Sequence, residues 1–105
     1  MKKFLTIMAI VLMTACSTKL MLPGQGEELV QAKAARSGQK VFMESCHRCH
    51  PSGNAGLGPS LINKPLPGFL IKMQVRNGYG VMPSFDKEHL SDEELNNIVK
   101  YIKEL

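Results

Sequence analysis

Two cysteines and two histidines lie within five consecutive residues, Cys46-His47-Arg48-Cys49-His50. Thiols can add across vinyl groups to form thioethers, and an imidazole nitrogen can bind a metal ion. The three-residue spacing of Cys46 and Cys49 is close to one helical turn, so both sulfurs would face the same side. With His50 directly after the second cysteine, the pattern is typical of covalent haem attachment, with His50 as a ligand of the iron. A haem held this way cannot leave when the iron changes oxidation state.

Three other interpretations of this motif remain open on spacing alone. A structural zinc site needs four ligands, usually as two separated pairs, and only His47, His89 or the distant Cys16 could complete it. A thioredoxin-like redox pair should follow a strand and open a helix, within an alternating pattern that this sequence lacks. The third is a chance match. Haem attachment is the interpretation that the motif favours.

The first fifteen residues have the pattern of an export signal. Lys2 and Lys3 form a basic start, Phe4 to Met13 is an apolar run, and Thr14-Ala15 are small residues before Cys16. The apolar run is too short for a membrane-spanning helix. We therefore expect residues 1–15 to be a signal peptide.

Cys16 follows the signal in a sequence, Leu12-Met13-Thr14-Ala15-Cys16, that resembles the lipobox of bacterial lipoproteins. In that pattern the cysteine is acylated and becomes the new N-terminus, although Met13 stands where leucine is favoured. An ordinary signal peptide that ends near a cysteine is the alternative. If the resemblance holds, several acyl chains give a stable anchor at Cys16 on the periplasmic side of a bacterial membrane, inner or outer undecided.

We expect residues 16–26 to form the lipidated N-terminus and a tether, and residues 27–105 to form the folded domain. Pro23, Gly24 and Gly26 and the lack of a periodic pattern favour a tether. Packing of Leu20, Met21 and Leu22 against the domain is the alternative.

The composition suits one small globular domain, since 44% of the 105 residues are hydrophobic and 21% are charged. The formal net charge is +4, and removal of residues 1–15 with their two lysines leaves eleven basic against nine acidic residues. Two haem propionates would cancel this excess. Nothing in the charge pattern indicates a nucleic-acid partner.

The haem motif follows an amphipathic helix in the sequence. Spacings of three and four predict that one face carries Val30, Ala34, Gly38, Val41, Phe42 and Ser45. Gly38 costs about 0.5–1 kcal/mol relative to alanine inside a helix, unless another element packs on its bare backbone. The final helix is the expected partner, with a capping box at Ser91 and Glu94. Its apolar stripe is Leu95, Ile98, Val99, Ile102 and Leu105, flanked by Tyr101.

A third helix is predicted between Pro67 and Asn77, with Gly78 just past its end. Its inward side chains are expected to be Leu70, Met73 and Phe69. No segment alternates convincingly at period two, so we expect an all-α domain. The chain has no tryptophan and its core would be thin, so a central haem would supply much of the missing core.

Several segments in order resemble the short class I c-type cytochromes of bacteria, over residues 28 to 105. They are the helix with Gly38 and Phe42, the CHRCH motif, Gly58-Pro59-Ser60-Leu61, the stretch from Arg76 to Pro83, and the closing helix with Tyr101. The resemblance implies a small cytochrome c fold, in which three main helices and loops wrap one covalently attached haem c.

The resemblance also implies roles for single residues. Cys46 and Cys49 would hold the haem, His50 would be the proximal iron ligand, and Met82 would be the distal ligand. The backbone carbonyl of Pro59 would orient His50.

Local sequence supports Met82 as the distal ligand. It lies between Gly80, where the backbone can approach a haem, and Pro83, which stiffens the backbone. Met73 lies in a predicted helix, where methionine usually fills core space. Met73, His89 or an open site remain the alternatives. We expect His89 to be a solvated loop residue, and His47 and Arg48 to be exposed spacers.

Histidine and methionine together leave the iron no open position for a substrate. The sequence therefore predicts a monomeric one-electron carrier, and not an enzyme, with redox proteins as donor and acceptor. A small peroxidase-like haem enzyme with a displaceable distal ligand is one alternative. A fixed haem subunit of a larger oxidoreductase is the other, and an uncovered apolar patch would be its sign.

Overall fold

The computed structural model describes residues 24–105 of the protein. The described chain forms helix α1 over Gln25–Ser45, a short 3₁₀ helix over Pro51–Gly53, helix α2 over Gly68–Asn77 and helix α3 over Asp92–Ile102. Within this range there is no strand, only an isolated bridge between Tyr79 and Met82. The prediction of an all-α fold with three main helices is confirmed. The predicted signal peptide and Cys16 lie outside the described residues.

Helices α1 and α3 pack directly against each other, and Gly38 marks their closest approach. A Cβ atom at position 38 would overlap the Asn97 carbonyl and lie 2.7 Å from the backbone nitrogen of Ile98. Beside this contact, the rings of Phe42 and Tyr101 meet edge to face, with centroids 5.2 Å apart. The expectation that the final helix packs on Gly38 is thus confirmed. The core cluster consists of Phe42, Val75, Leu90, Leu95 and Ile98.

The buried face of α1 differs from the predicted one. Val30 is 65% exposed and Ser45 is also exposed, whereas Ala35 is buried together with Gly38 and Phe42. Helix lengths explain the difference, since α1 has 21 residues and α3 has 11. At 1.5 Å per residue, α3 can cover only about half of α1. The first ten residues of α1 therefore extend beyond the core, and the last two residues of the predicted tether are helical.

Helix α2 has the predicted ends but a different inner face. Pro67 is its N-cap, and Gly78 ends it with a φ of 68°, a conformation that favours glycine. Of the three side chains expected to point inward, Leu70 is partly buried, whereas Phe69 and Met73 are 67% and 52% exposed and are not buried by the polypeptide. The buried side chain is Val75, and Ile71 packs against the core one turn earlier. The i, i+4 pair of Ile71 and Val75 thus forms the inner face.

Helix α3 begins with the capping box that its sequence predicts. The Glu94 backbone N–H donates to Ser91 Oγ at 3.2 Å, and the Ser91 backbone N–H donates to Glu94 Oε2 at 2.8 Å. Its buried stripe is Leu95, Ile98 and Val99. Leu105 lies beyond the end of the helix. No helix within residues 24–105 is long and apolar enough to cross a membrane.

Candidate haem-binding site

The cysteine motif forms one helical turn directly after α1. The backbone N–H groups of Cys49 and His50 both donate to the Cys46 carbonyl, at 3.1 Å and 2.9 Å. Cys46 itself continues from α1, because its N–H donates to the Phe42 carbonyl at 2.8 Å. The expected helical turn is therefore present. It ties the motif to the part of α1 that packs against α3.

The Cys46 thiol does not have the environment of a reactive redox cysteine. Cys46 and Cys49 are both free, and Cys46 packs beside the core. Burial, with a further contribution from Cys49, raises the pKa of the Cys46 thiol to about 11. A thioredoxin-type nucleophile requires a lowered pKa, since the thiolate is the reactive form. The environment of Cys46 thus disfavours the redox-pair interpretation.

His50 is buried, and one of its ring nitrogens is committed to the protein. His50 Nδ1 lies 2.9 Å from the Pro59 carbonyl oxygen, and the side chain is 7% exposed in total. A carbonyl can only accept, so Nδ1 carries the proton and donates. The neutral ring then has its free lone pair on Nε2, which is the arrangement of a metal-binding histidine oriented by a backbone carbonyl.

The loop after the motif packs closely against the His50 ring. A Cβ atom at Gly58 would lie 2.7 Å from both Nδ1 and Nε2 of His50, so no side chain fits there without moving the ring. Gly58 N–H donates to the Cys49 carbonyl at 3.0 Å, which fixes this approach. Gly56 is similarly close to Cys49, with a hypothetical Cβ 2.8 Å from its carbonyl oxygen. The loop glycines therefore allow the backbone to hold His50 in one orientation.

Met82 closes a tight turn that follows α2. Tyr79 and Met82 exchange two backbone hydrogen bonds, of 3.1 Å and 2.9 Å, and Gly80 between them has a φ of 58°. The Met82 side chain is partly buried and packs against the same core cluster as Cys46. A hypothetical Cβ at Gly80 meets no atom within 4 Å, so space is open beside this turn. A methionine is thus presented from a constrained turn next to open space.

The two alternative ligands, Met73 and His89, have exposed side chains. Met73 is half exposed on α2. His89 is exposed, as expected for a solvated loop residue, and its Nδ1 lies 2.7 Å from Asp86 Oδ1. Within residues 24–105, no three histidine, cysteine or acidic side chains gather into a metal-binding group.

Two residues of the site region have roles that the motif did not reveal. His47 was expected to be an exposed spacer, but it is partly buried, and its Nδ1 accepts from the Ser52 N–H at 2.9 Å. This bond holds Ser52 at a φ of 51° in the turn after the motif. Arg76 binds the segment that follows Met82, with contacts to Phe85, Asp86, Leu90 and Asp92. Only its place six residues before Met82 could have drawn attention to it. Arg48 is exposed, as expected.

The site fits a haem by its donor set. It combines a turn with two thiols, an imidazole oriented by a carbonyl, and a partly buried thioether. Fold and site together define a small class I c-type cytochrome.

Comparison with known proteins gives the same result. The family model described as cytochrome c oxidase, cbb3-type, subunit III matches residues 33–102, and the chain belongs to this cytochrome c family. It is 34% identical to cytochrome c6 of Cladophora glomerata over 70% of this chain and 90% of that protein. It is 32% identical to cytochrome c6 of a Picosynechococcus species over 97% of this chain and 92% of that protein.

A second kind of relative is a subunit of an enzyme. The chain is 36% identical to the cytochrome c subunit of 4-cresol dehydrogenase (hydroxylating) of Pseudomonas putida, over 66% of this chain and 60% of that subunit. It also superposes on a chain in the crystal structure of p-cresol methylhydroxylase with substrate bound. That match has a TM-score of 0.60 and 35% identity, and it covers 69% of this chain and 96% of the other.

The protein is thus a haem c electron carrier, with haem c as its covalently attached cofactor.

Proposed function

We propose that this protein is a one-electron carrier whose haem is attached through Cys46 and Cys49 and whose iron is bound by His50 and Met82. The observation that carries the proposal is the 2.9 Å contact between His50 Nδ1 and the Pro59 carbonyl. This contact leaves the Nε2 lone pair free on a ring that Gly58 holds in place. A histidine buried and oriented in this way is poised to bind a metal.

The geometry of the cysteine turn supports attachment at two points. The Cys46 carbonyl accepts from the N–H groups of Cys49 and His50, so one turn sets the relative positions of all three residues. Two thioether bonds then prevent dissociation in either oxidation state. Within this turn, His50 is kept next to the attachment points.

Met82 supports a closed coordination shell. Its turn is constrained by two hydrogen bonds to Tyr79, and its side chain is partly buried beside the core. When bound, the haem supplies an iron that changes charge by one unit. A thioether ligand favours the reduced ion and raises the potential. Because no position remains open, we infer electron transfer without binding of a substrate.

The peroxidase-like alternative receives less support. Such an enzyme needs a displaceable ligand together with a nearby acid or base, and His89 was the only candidate in the sequence. His89 is exposed and is bound to Asp86 in its own loop. Its position therefore supports the carrier and not the peroxidase.

A fixed haem subunit of a larger oxidoreductase is the second candidate function. Two observations favour it: the similarity to the cytochrome subunit of a dehydrogenase, and the exposed apolar side chains Tyr79 and Val81 beside Met82, each 82% exposed. Native-mass measurement of the protein extracted from its own membranes distinguishes the two functions. A free carrier remains a monomer, whereas a fixed subunit co-purifies with a redox partner in stoichiometric amount.

We further propose that the carrier is a lipoprotein, anchored through Cys16 on the periplasmic side of a bacterial membrane. The lipobox-like sequence Leu12 to Cys16 supports this placement. Metabolic labelling with a fatty acid tests it: native protein should take up label and Cys16→Ser should not. If residues 1–16 are replaced by an ordinary cleavable export signal, the haem-loaded domain should become soluble in the periplasm. Native protein without label would contradict the anchor and leave the haem proposal intact.

The haem proposal is tested by one set of spectra on the membrane fraction. A reduced-minus-oxidised spectrum should show a low-spin haem, and a pyridine haemochrome assay should show two saturated side chains from thioether formation. Potentiometry should give a one-electron transition. A high-spin ferric spectrum in the native protein would contradict a closed shell of His50 and Met82.

A further inference from the structure

Arg76 makes an unusual set of contacts for a cation near the end of a surface helix. Its Nη1 lies within donating distance of three backbone carbonyls, those of Phe85 at 3.0 Å, Asp86 at 3.1 Å and Leu90 at 2.7 Å, so its two hydrogens are shared among them. Its side chain is only 21% exposed. All three carbonyls belong to the loop between Met82 and α3. One guanidinium thus fixes the middle and the end of this loop.

The same loop is attached to α2 at its other end, close to Met82. A Cβ atom at Gly78 would lie 2.6 Å from the Met82 carbonyl oxygen and 2.8 Å from the Ser84 nitrogen, so the two backbones are in tight contact. Phe85 N–H then donates to the Val75 carbonyl at 3.0 Å. Met82 therefore lies in a short loop that starts at Gly78, at the end of α2, and contacts α2 again at Phe85.

Arg76 holds the loop mainly through its hydrogen bonds to backbone carbonyls and not through its ion pair. Arg76 Nη2 also binds Asp92 Oδ1 at 2.7 Å, but Asp92 is 62% exposed and is shared with Lys87 at 2.8 Å. An ion pair of this exposure contributes little to stability. The carbonyls of Phe85 and Leu90 are bound by a charged donor and are partly buried. Loss of a charge-assisted donor from such groups has a larger cost.

We propose that Arg76 is a positioning residue for Met82. By holding Phe85, Asp86 and Leu90, it fixes the return of the chain after Met82 and limits how far the thioether sulfur can move from the iron. This inference rests on the proposed ligation by His50 and Met82. Without the guanidinium, the loop gains conformations in which the sulfur is displaced, and Met82 competes less well against an added ligand.

Competition with imidazole measures this effect in the full-length, haem-loaded ferric protein. Thioether ligation of a ferric haem gives a weak red charge-transfer band, and imidazole abolishes that band as it replaces the sulfur. The apparent affinity for imidazole rises in proportion to the fraction of protein in which the sulfur is displaced. Arg76→Met should raise this affinity about tenfold, since this factor lies within the range of costs for one unsatisfied buried carbonyl. Asp92→Asn, which leaves the carbonyl bonds intact, should change it less than about twofold.

Arg36→Met is the matched control, because Arg36 is an exposed residue of α1 remote in sequence from the Met82 loop. It should bind imidazole as the wild type does. Arg76→Lys keeps a cation with donors but loses the planar fork, so it should restore part of the wild-type affinity. If Arg76→Met does not accumulate, Arg76→Lys still gives the test, with an expected rise above the wild-type value.

The outcomes separate this inference from the proposed function. A wild-type protein without the charge-transfer band would overturn ligation by Met82, and this inference with it. A band that is present, with equal imidazole affinity in wild type and both Arg76 variants, would overturn only the role of Arg76. Denaturant unfolding is measured in parallel. A lower unfolding midpoint with unchanged imidazole affinity would show that Arg76 is merely structural, which also overturns the inference.

Discussion

Gly38 of α1 lies directly against the Asn97 carbonyl of α3. A Cβ atom at position 38 would overlap that carbonyl and lie 2.7 Å from the Ile98 nitrogen, so the two helix backbones touch without an intervening side chain. The contact lies one turn before Phe42, which is fully buried. Since the cysteine turn continues directly from α1, the packing at Gly38 also sets where the haem motif sits relative to α3.

Gly38→Ala should destabilise the protein. Alanine improves helix propensity by about 0.5–1 kcal/mol, but backbone atoms of α3 occupy the space that its methyl needs. Overpacking of this kind costs about 1–3 kcal/mol or more, so the clash wins. Denaturant unfolding of the haem-loaded protein measures the difference.

Gly26→Ala is the control for this prediction, since it lies on the same helix and its Cβ would meet no atom within 4 Å. It should be neutral or stabilising by up to about 1 kcal/mol. Equal effects of the two substitutions would mean that Gly38 does not form the helix contact.

Removal of the cysteine thiols should prevent covalent attachment of the haem. Cys46→Ala or Cys49→Ala should leave at most one thioether and sharply lower the yield of mature protein. The double variant should lose its haem on denaturing gels, whereas Arg48→Ala, which changes only an exposed position of the motif, should keep it. Haem staining of the gel is the measurement. Staining that survives the double substitution would exclude attachment through these cysteines.

Exchange of Met82, the proposed distal ligand, should lower the potential and keep the iron low-spin. Met82→His should keep a low-spin iron and lower its potential, because imidazole stabilises the oxidised ion better than a thioether does. Met73→Leu is the control and should leave both properties unchanged, since Met73 is half exposed on α2. Spectra and potentiometry of the two variants give the comparison. If Met73→Leu were the variant that lost the thioether signature, Met73 would be the ligand.

The capping box of α3 should make part of the stability depend on pH. The Ser91 backbone N–H, and then its hydroxyl, donate to the Glu94 carboxylate and lower the pKa of Glu94 below its usual 4.5. The ionised carboxylate is therefore favoured in the folded state. Its contribution is complete above the usual pKa and is lost as the pH falls through the lowered value.

Unfolding of wild type and Glu94→Gln from neutral pH to below 4.5 tests this effect. The free-energy difference between the two proteins should shrink as the pH falls. Glu93→Gln removes a charge from the same helical turn and controls for the helix dipole. A difference that stays constant with pH would show that the Glu94 carboxylate contributes nothing through its ionisation.

The sequence alone determined the features that depend on neighbouring residues. The helical turn of Cys46 and Cys49, the capping box of Ser91 and Glu94, and the end of α2 at Gly78 were predicted from spacing and residue type. Each depends on hydrogen bonds or backbone angles within a few residues, which the local sequence specifies. The bare backbone of Gly38 also indicated a close partner, because a glycine in a helix is costly otherwise.

Only the tertiary structure decided which faces of the helices are covered. Val30 and Ala35 both fit an amphipathic pattern, but α3 is too short to reach Val30, so Ala35 is buried instead. Met73 was expected inside because it is apolar and helical, yet α2 turns Val75 to the core. The contacts of Arg76 join residues 9 to 16 positions apart. Such contacts depend on how the loop folds back onto α2, and spacing along the chain does not encode that geometry.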